Sequence, residues 1–149
     1  ALCKVLKEHG MNVTGLDPAE DMLAVARKKV GKTKPDQEDI KFLHGNVLTG
    51  LPFQDKSFDL AISSYVAHGL MPEERQSLYD EMKRIAKYAA ILHDYNEQRS
   101  LIIDITERLE GGGYFSFIKN VESELTDKFG DLKVINTGRD SALYICKIE

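Results

Sequence analysis

Hydrophobic and polar residues follow one another along this chain in a pattern that predicts short strands alternating with amphipathic helices. Apolar residues recur at helical spacing in five segments, residues 1–9, 19–30, 72–87, 100–109 and 115–129. Short apolar runs bounded by turn residues predict strands at residues 12–16, 40–43, 58–63, 89–93, 133–136 and 143–148. Such alternation is typical of an α/β domain with a largely parallel sheet.

Several local signals sharpen this prediction. The last two strands flank a turn at Gly138, so we expect a β-hairpin that adds an antiparallel strand at one end of the sheet. In the helix at residues 19–30, Met22, Val25 and Ala26 share one face. In the helix that starts at Pro72, the predicted buried stripe consists of Leu78, Met82 and Ile85. Three consecutive glycines, residues 111–113, are expected to end the helix at residues 100–109.

Composition narrows the class of protein. The chain has 149 residues, 42% hydrophobic and 30% charged, which suits one globular domain spanning residues 1–149. A net charge of −4 argues against nucleic acid as a partner. Cys3 and Cys146 lack metal-ligand spacing, so we expect reduced thiols, no metal site and a cytoplasmic location. No apolar run approaches the ~20 residues of a membrane span, and homo-oligomerisation stays open.

Polar residues follow four of the predicted strands, where open parallel sheets bind their ligands. They are Asp17, residues 45–47, residues 63–65 with His68 nearby, and residues 94–96. We expect these four clusters to line one rim of the sheet. The rim is therefore the predicted binding site.

Asp17 is the most informative of these residues. An acidic residue at the end of the second strand of a nucleotide-binding unit accepts hydrogen bonds from ribose hydroxyls. It also suits the N-cap of the following helix, whose first turn holds Pro18, and both interpretations stay open. The glycine-rich loop that precedes such an acid by about 20 residues would lie before Ala1. We therefore expect the domain to be incomplete at its N-terminus.

Four segments, taken in order, resemble the class I S-adenosylmethionine-dependent methyltransferases. They are VTGLDPAEDML at residues 13–23, FLHGNVLTGLPFQDKSFDL at residues 42–60, ISSYVAH at residues 62–68 and GRDSALYIC at residues 138–146. The resemblance implies a Rossmann-like, doubly wound, mostly parallel sheet with an antiparallel C-terminal hairpin strand. The first strand of that fold, which is central in the sheet, and its glycine-rich motif are expected to be absent from this chain.

The same resemblance implies a set of S-adenosylmethionine-binding residues. Asp17 would hold the ribose hydroxyls, and Pro18 and Met22 would pack near the adenosine. Asn46 stands where the family commonly has an aspartate that contacts the adenine amino group, although a simple turn residue also fits there. Val47 would make a backbone contact to the adenine ring. Ser63 would face the methionine portion.

The resemblance implies methyl transfer to an unidentified small-molecule acceptor. Such enzymes often need no base, and His68 and Tyr65 are the first candidates if one is used, followed by His93 and Tyr95. A structural packing role for these side chains is the alternative. Asp17 alone does not distinguish this cofactor from NAD, so an NAD-dependent oxidoreductase domain stays open, as does a non-catalytic binding or assembly module.

Overall fold

The computed structural model describes residues 2–30, 40–97 and 113–149. The chain divides into two compact units, Ala1–Leu51 and Pro52–Glu149. The predicted helix at residues 100–109 lies outside the described residues. No helix within the described ranges is long and apolar enough to cross a membrane.

The first unit contains a two-stranded parallel sheet and two helices. Its elements are α1 (Leu2–Glu8), β1 (Thr14–Asp17), α2 (Glu20–Val30), β2 (Lys41–His44) and a 3-10 turn at Val47–Thr49. Asp17 pairs with His44 at the carboxyl ends of β1 and β2. These two strand ends, and the residues that follow them, therefore lie at one edge of the sheet.

The buried face of α2 differs from the predicted one. Leu23 is buried at 2% exposure, whereas Met22 and Val25 are 58% and 45% exposed. The prediction that Met22 and Val25 share a face is compatible with the helix, but that face does not enter the core of the unit. Helical periodicity identifies residues on a common face, and only tertiary contacts decide which face meets the sheet.

The second unit is built on a four-stranded sheet. Its elements are β3 (Phe58–Ser64), a 3-10 turn at Ala67–Gly69, α3 (Pro72–Ile85), β4 (Ala86–Tyr95), α4 (Gly113–Phe129), β5 (Leu132–Asn136) and β6 (Ser141–Lys147). The strand order is β3-β4-β6-β5. β3 and β4 are parallel, and β6 is antiparallel to both of its neighbours. The predicted α/β class and the antiparallel hairpin strand are confirmed.

Among the described strands, β1 and β3 each pair on one side only, β1 with β2 and β3 with β4. Backbone N–H and C=O groups on the other side of each strand thus have no strand partner there.

Packing of α3 and α4 forms the core of the second unit. Leu78, Met82 and Ile85 are buried, as predicted from their spacing. Phe117 and Leu125 of α4 are fully buried as well.

The end of α3 differs from the prediction of about residue 87. Ala86 is already extended and begins β4, and its N–H donates to the Met82 carbonyl as the helix cap. The Lys56 N–H donates to the Arg84 carbonyl at 2.9 Å. Helix passes directly into strand with no glycine or proline between them, so the sequence holds no stop signal at this position.

Candidate functional site

Asp17 closes β1 and begins the turn into α2. Its Oδ1 accepts a hydrogen bond from the Ala19 N–H at 2.8 Å, which is the capping geometry of an aspartate before a helix. Within the described part of the chain, Oδ2 has no hydrogen-bond partner. The cap therefore occupies one carboxylate oxygen and leaves the other available to a ligand.

Asn46 lies just beyond β2 at the same edge of the sheet. Its Oδ1 accepts from the Leu48 N–H at 2.9 Å, and its backbone is extended, so it caps the 3-10 turn Val47–Thr49. The side chain is exposed and its Nδ2 has no partner among the described residues. The structure thus realises the turn role, and the group left for a ligand is an N–H donor.

The neighbouring residues complete this edge of the first unit. Pro18 and Met22 are exposed, and Val47 is half-buried. His44 contributes a ring nitrogen 2.9 Å from the Pro18 carbonyl, which joins the ends of β1 and β2. The edge so formed combines a carboxylate, an amide and exposed apolar side chains.

Gly45 permits a close approach next to this edge. A Cβ at Gly45 would lie 2.9 Å from a methyl carbon of Leu16, inside van der Waals contact. A side chain at Gly45 would therefore require the Leu16 side chain to move.

Asp94 and His68 form a hydrogen-bonded pair in the second unit. Asp94 lies near the end of β4 and its side chain is 1% exposed, whereas His68 lies in the 3-10 turn after β3 and is 24% exposed. His68 Nδ1 is 2.8 Å from Asp94 Oδ1. Because a carboxylate oxygen only accepts, this contact assigns the hydrogen to Nδ1 and leaves a lone pair on Nε2.

Backbone donors hold the Asp94 carboxylate in place. Oδ2 accepts from the N–H groups of Ala67 and His68 at 3.0 and 3.4 Å, and Oδ1 accepts from the Tyr95 N–H at 2.9 Å. A buried carboxylate is costly without such partners. Asp94 therefore connects the end of β4 to the turn that carries His68.

Aromatic rings surround His68. The Tyr95 ring centroid is 4.7 Å from that of His68 at 74°, and the Tyr114 centroid is 6.4 Å away. Tyr65 packs on Tyr95 at 5.2 Å and on His93 at 4.8 Å. The structure thus brings the four side chains predicted as candidate bases, from two strand ends far apart in the sequence, into one aromatic cluster.

The other candidate bases are placed differently from His68. The two ring nitrogens of His93 lie 3.4 and 3.5 Å from the hydroxyls of Ser64 and Thr137. Tyr65 is 43% exposed and adopts a left-handed backbone with φ of 54°, a conformation that is uncommon outside glycine. The His68 side chain, by contrast, contacts the buried carboxylate of Asp94.

Ser63 lies one residue before the end of β3, opposite Leu92 of β4, and is buried. Its hydroxyl makes no hydrogen bond to the described residues. The predicted contact of Ser63 with a methionine portion thus stays a prediction.

Sequence reasoning missed the role of Asp94. It placed residues 94–96 at a polar strand exit without assigning a partner to the carboxylate. The available signal was an acidic residue that closely follows the apolar run Ala89–Leu92, because a charge buried there requires partners. No cluster of three metal-ligating side chains exists among the residues that the structure describes.

Comparison with known proteins identifies a protein family whose model matches this chain. A family model described as a methyltransferase domain matches residues 1–93. The demethylmenaquinone methyltransferase of Shouchella clausii is 39% identical over 87 residues, covering 58% of this chain and 34% of that protein. An uncharacterized methyltransferase of Staphylococcus carnosus is 27% identical over 143 residues, covering 85% of this chain and 63% of its own length. The chain thus spans about a third to two thirds of these curated relatives.

Solved structures agree on the fold. The magnesium protoporphyrin IX methyltransferase of Synechocystis PCC 6803 with bound SAH has a TM-score of 0.71 and 18% identity, covering 99% of this chain and 69% of its own. A SAM-dependent methyltransferase of Methanosarcina mazei has a TM-score of 0.69 and 18% identity, covering 96% and 84%. At this identity the likeness establishes a class I methyltransferase fold.

Proposed function

This chain belongs to the methyltransferase domain family, and on that premise we propose that it binds S-adenosylmethionine and transfers the methyl group to a small-molecule acceptor. The observation that carries this proposal is the state of Asp17. One carboxylate oxygen caps α2 through the Ala19 N–H, and the other has no partner among the described residues. A carboxylate fixed by a helix turn at a strand end is preorganised to accept a ribose hydroxyl.

The residues at this edge suit an adenosine moiety. Asp17 supplies the acceptor for the ribose, and Met22 and Pro18 supply exposed apolar surface for the adenine and sugar. The backbone of Val47, next to the capped turn, supplies the contact to the purine ring. For the methionine portion, the family resemblance implies Ser63.

Asn46 is the proposed contact to the polar edge of the adenine. Its Oδ1 is occupied by the Leu48 N–H, so its exposed Nδ2 offers a donor. A donor matches a ring nitrogen of adenine better than the amino group that an aspartate would bind. We therefore assign Asn46 to the ring nitrogen, as a departure from the contact that the family resemblance implied.

Bound S-adenosylmethionine supplies an activated methyl group, so the protein mainly positions the reactants and excludes water. Relatives named demethylmenaquinone methyltransferases support a small-molecule acceptor. The family match favours this cofactor over NAD. The cytoplasmic location and a homo-oligomeric state stay predictions.

Calorimetric titration with S-adenosylhomocysteine, with NAD as the comparison ligand, tests the proposal. We expect binding of S-adenosylhomocysteine and none of NAD. Binding of NAD alone would indicate the oxidoreductase alternative. Absence of binding by a protein whose circular dichroism shows it folded would indicate the non-catalytic module.

A matched pair of variants assigns the binding to Asp17. Asp17→Asn keeps an oxygen for the Ala19 N–H and removes the charge, so we expect affinity to fall by about 1–3 kcal/mol. Asp21→Asn removes the same charge from the first turn of α2 and serves as the control with unchanged affinity. Equal affinity of the two folded variants would contradict the ribose assignment.

A further inference from the structure

We propose that His68, oriented by Asp94, removes a proton from the methyl acceptor, and that this acceptor is an aromatic hydroxyl compound. The inference rests on the proposed methyl transfer and deepens it by naming the acceptor class and the proton-accepting atom. It is carried by the hydrogen bond between His68 Nδ1 and Asp94 Oδ1 at 2.8 Å.

Orientation of the imidazole is the first step of the argument. With its hydrogen on Nδ1, His68 presents the lone pair of Nε2, which has no hydrogen-bond partner among the described residues. The side chain is 24% exposed, so a small molecule can reach it. A neutral imidazole with a free ring nitrogen can accept a proton there, which is the role of a general base.

Asp94 acts as the positioning residue. Its two oxygens receive the Nδ1–H and three backbone N–H groups, from Ala67, His68 and Tyr95. These contacts fix the carboxylate relative to the 3-10 turn Ala67–Gly69. Because His68 belongs to that turn, its imidazole ring is held as well. The positive charge that His68 gains in the reaction would lie beside the buried Asp94 carboxylate, whose Oδ1 is 2.8 Å from Nδ1.

The surroundings of His68 indicate the acceptor class. Tyr95 and Tyr114 pack edge-on around the imidazole, and Tyr65, 43% exposed, extends the same aromatic surface. Aromatic faces favour a planar aromatic ligand. A hydroxyl on such a ring is a poor nucleophile until it loses its proton, so a base beside aromatic side chains fits a phenol-like acceptor.

The step balances in atoms and charge. Nε2 takes the hydroxyl proton, the oxygen lone pair forms the new bond to the methyl carbon, and the carbon–sulfur bond breaks with its electron pair left on sulfur. The positive charge of the sulfonium is replaced by that of the His68 imidazolium. His68 then returns its proton to water.

Two phenols of different acidity test the role of Nε2. In mildly alkaline buffer phenol is still un-ionised, whereas 4-nitrophenol is largely ionised. We expect His68→Gln to lower kcat for phenol on the order of 10²–10⁴-fold and to change kcat for 4-nitrophenol far less. His9→Gln is the matched control, because His9 is an exposed histidine directly after α1. This substitution should leave both rates unchanged.

The outcomes separate this inference from the proposed function. Equal loss on both phenols would overturn the proton-transfer role, and turnover of neither phenol by a wild-type protein that binds S-adenosylhomocysteine would overturn the acceptor class. Failure to bind S-adenosylhomocysteine would instead contradict the proposed function itself.

Nitrogen-15 NMR of the histidine rings gives a readout that needs neither acceptor nor cofactor. Above its titration midpoint, wild-type His68 should carry its hydrogen on Nδ1, and the opposite tautomer would overturn the positioning by Asp94. The titratable groups that contact His68 are Asp94 and Tyr95 of β4 and Tyr114 of α4. Tyr65 contacts Tyr95 and His93, so these groups also enter the interpretation of the titration curve. The pH profile of kcat for phenol should rise through the same midpoint, and His68→Gln should lose that rise.

Discussion

Arg75 and Glu124 form a two-point ion pair that joins α3 to α4. Arg75 Nε lies 2.9 Å from Oε2 and Nη2 lies 2.5 Å from Oε1 of Glu124. Arg75 is fully buried, and its pKa is raised chiefly by the hydrogen bond to Glu124. The pair holds α4, whose Tyr114 packs near His68, so it supports the candidate base from a distance.

Removing one partner of this pair should destabilise the protein strongly. Glu124→Ala leaves the buried Arg75 charge unpaired, and we expect a loss of about 3–5 kcal/mol in the free energy of unfolding. Urea denaturation followed by circular dichroism measures this change. Asp80→Asn is the control, because the Asp80–Lys128 pair joins the same two helices at an exposed position and should contribute less than about 1 kcal/mol. Similar losses for the two variants would contradict the structural role assigned to Arg75.

Asn46→Asp should change the preference for the purine base. The aspartate keeps an oxygen for the Leu48 N–H and replaces the exposed donor with an acceptor. We expect binding of S-adenosylhomocysteine to improve relative to its 6-oxo (inosine) analogue by roughly tenfold, the value of about one hydrogen bond. Competitive titration of the two ligands measures the ratio, and an unchanged ratio would remove Asn46 from the adenine contact.

Alkaline pH should destabilise the fold. Burial raises the pKa of the Cys146 thiol to about 12, and burial also raises the pKa values of Tyr79 and Tyr144. Because the unfolded chain releases these protons at lower pH than the folded chain does, stability is fully present below the unfolded pKa values. It should fall above pH ~9, by about 1 kcal/mol per pH unit for each group.

Urea denaturation between pH 7 and pH 11 measures this loss. For each protein, the free energy of unfolding at alkaline pH is compared with its own value at pH 7. This decrease should be smaller for Cys146→Ala than for the wild type. A thiol reagent provides a second check, because Cys146 is fully buried and should react only on unfolding. Rapid reaction of Cys146 in the folded protein at pH 8 would contradict its assigned environment.

The local pattern of apolar and polar residues was sufficient to predict most of the helices and strands. The alternation of apolar runs and helical spacing predicted every described strand to within three residues, including the two strands of the C-terminal hairpin. Asp17 and Asn46 were located at strand ends because turn chemistry marks those ends. Such signals depend on contacts between residues close in the chain, so the sequence by itself contains them.

Tertiary structure alone decided three features. It placed Leu23 rather than Met22 in the core, it ended α3 at Ile85 without a stop signal, and it joined Asp94 to His68. Each depends on residues far apart in the chain meeting at a defined distance. Periodicity reports which side chains share a face, whereas the energy of a buried carboxylate depends on which donors surround it. The resemblance and strand-end chemistry therefore indicated the cofactor and His68 as a candidate base, and the folded structure supplied its partner, Asp94.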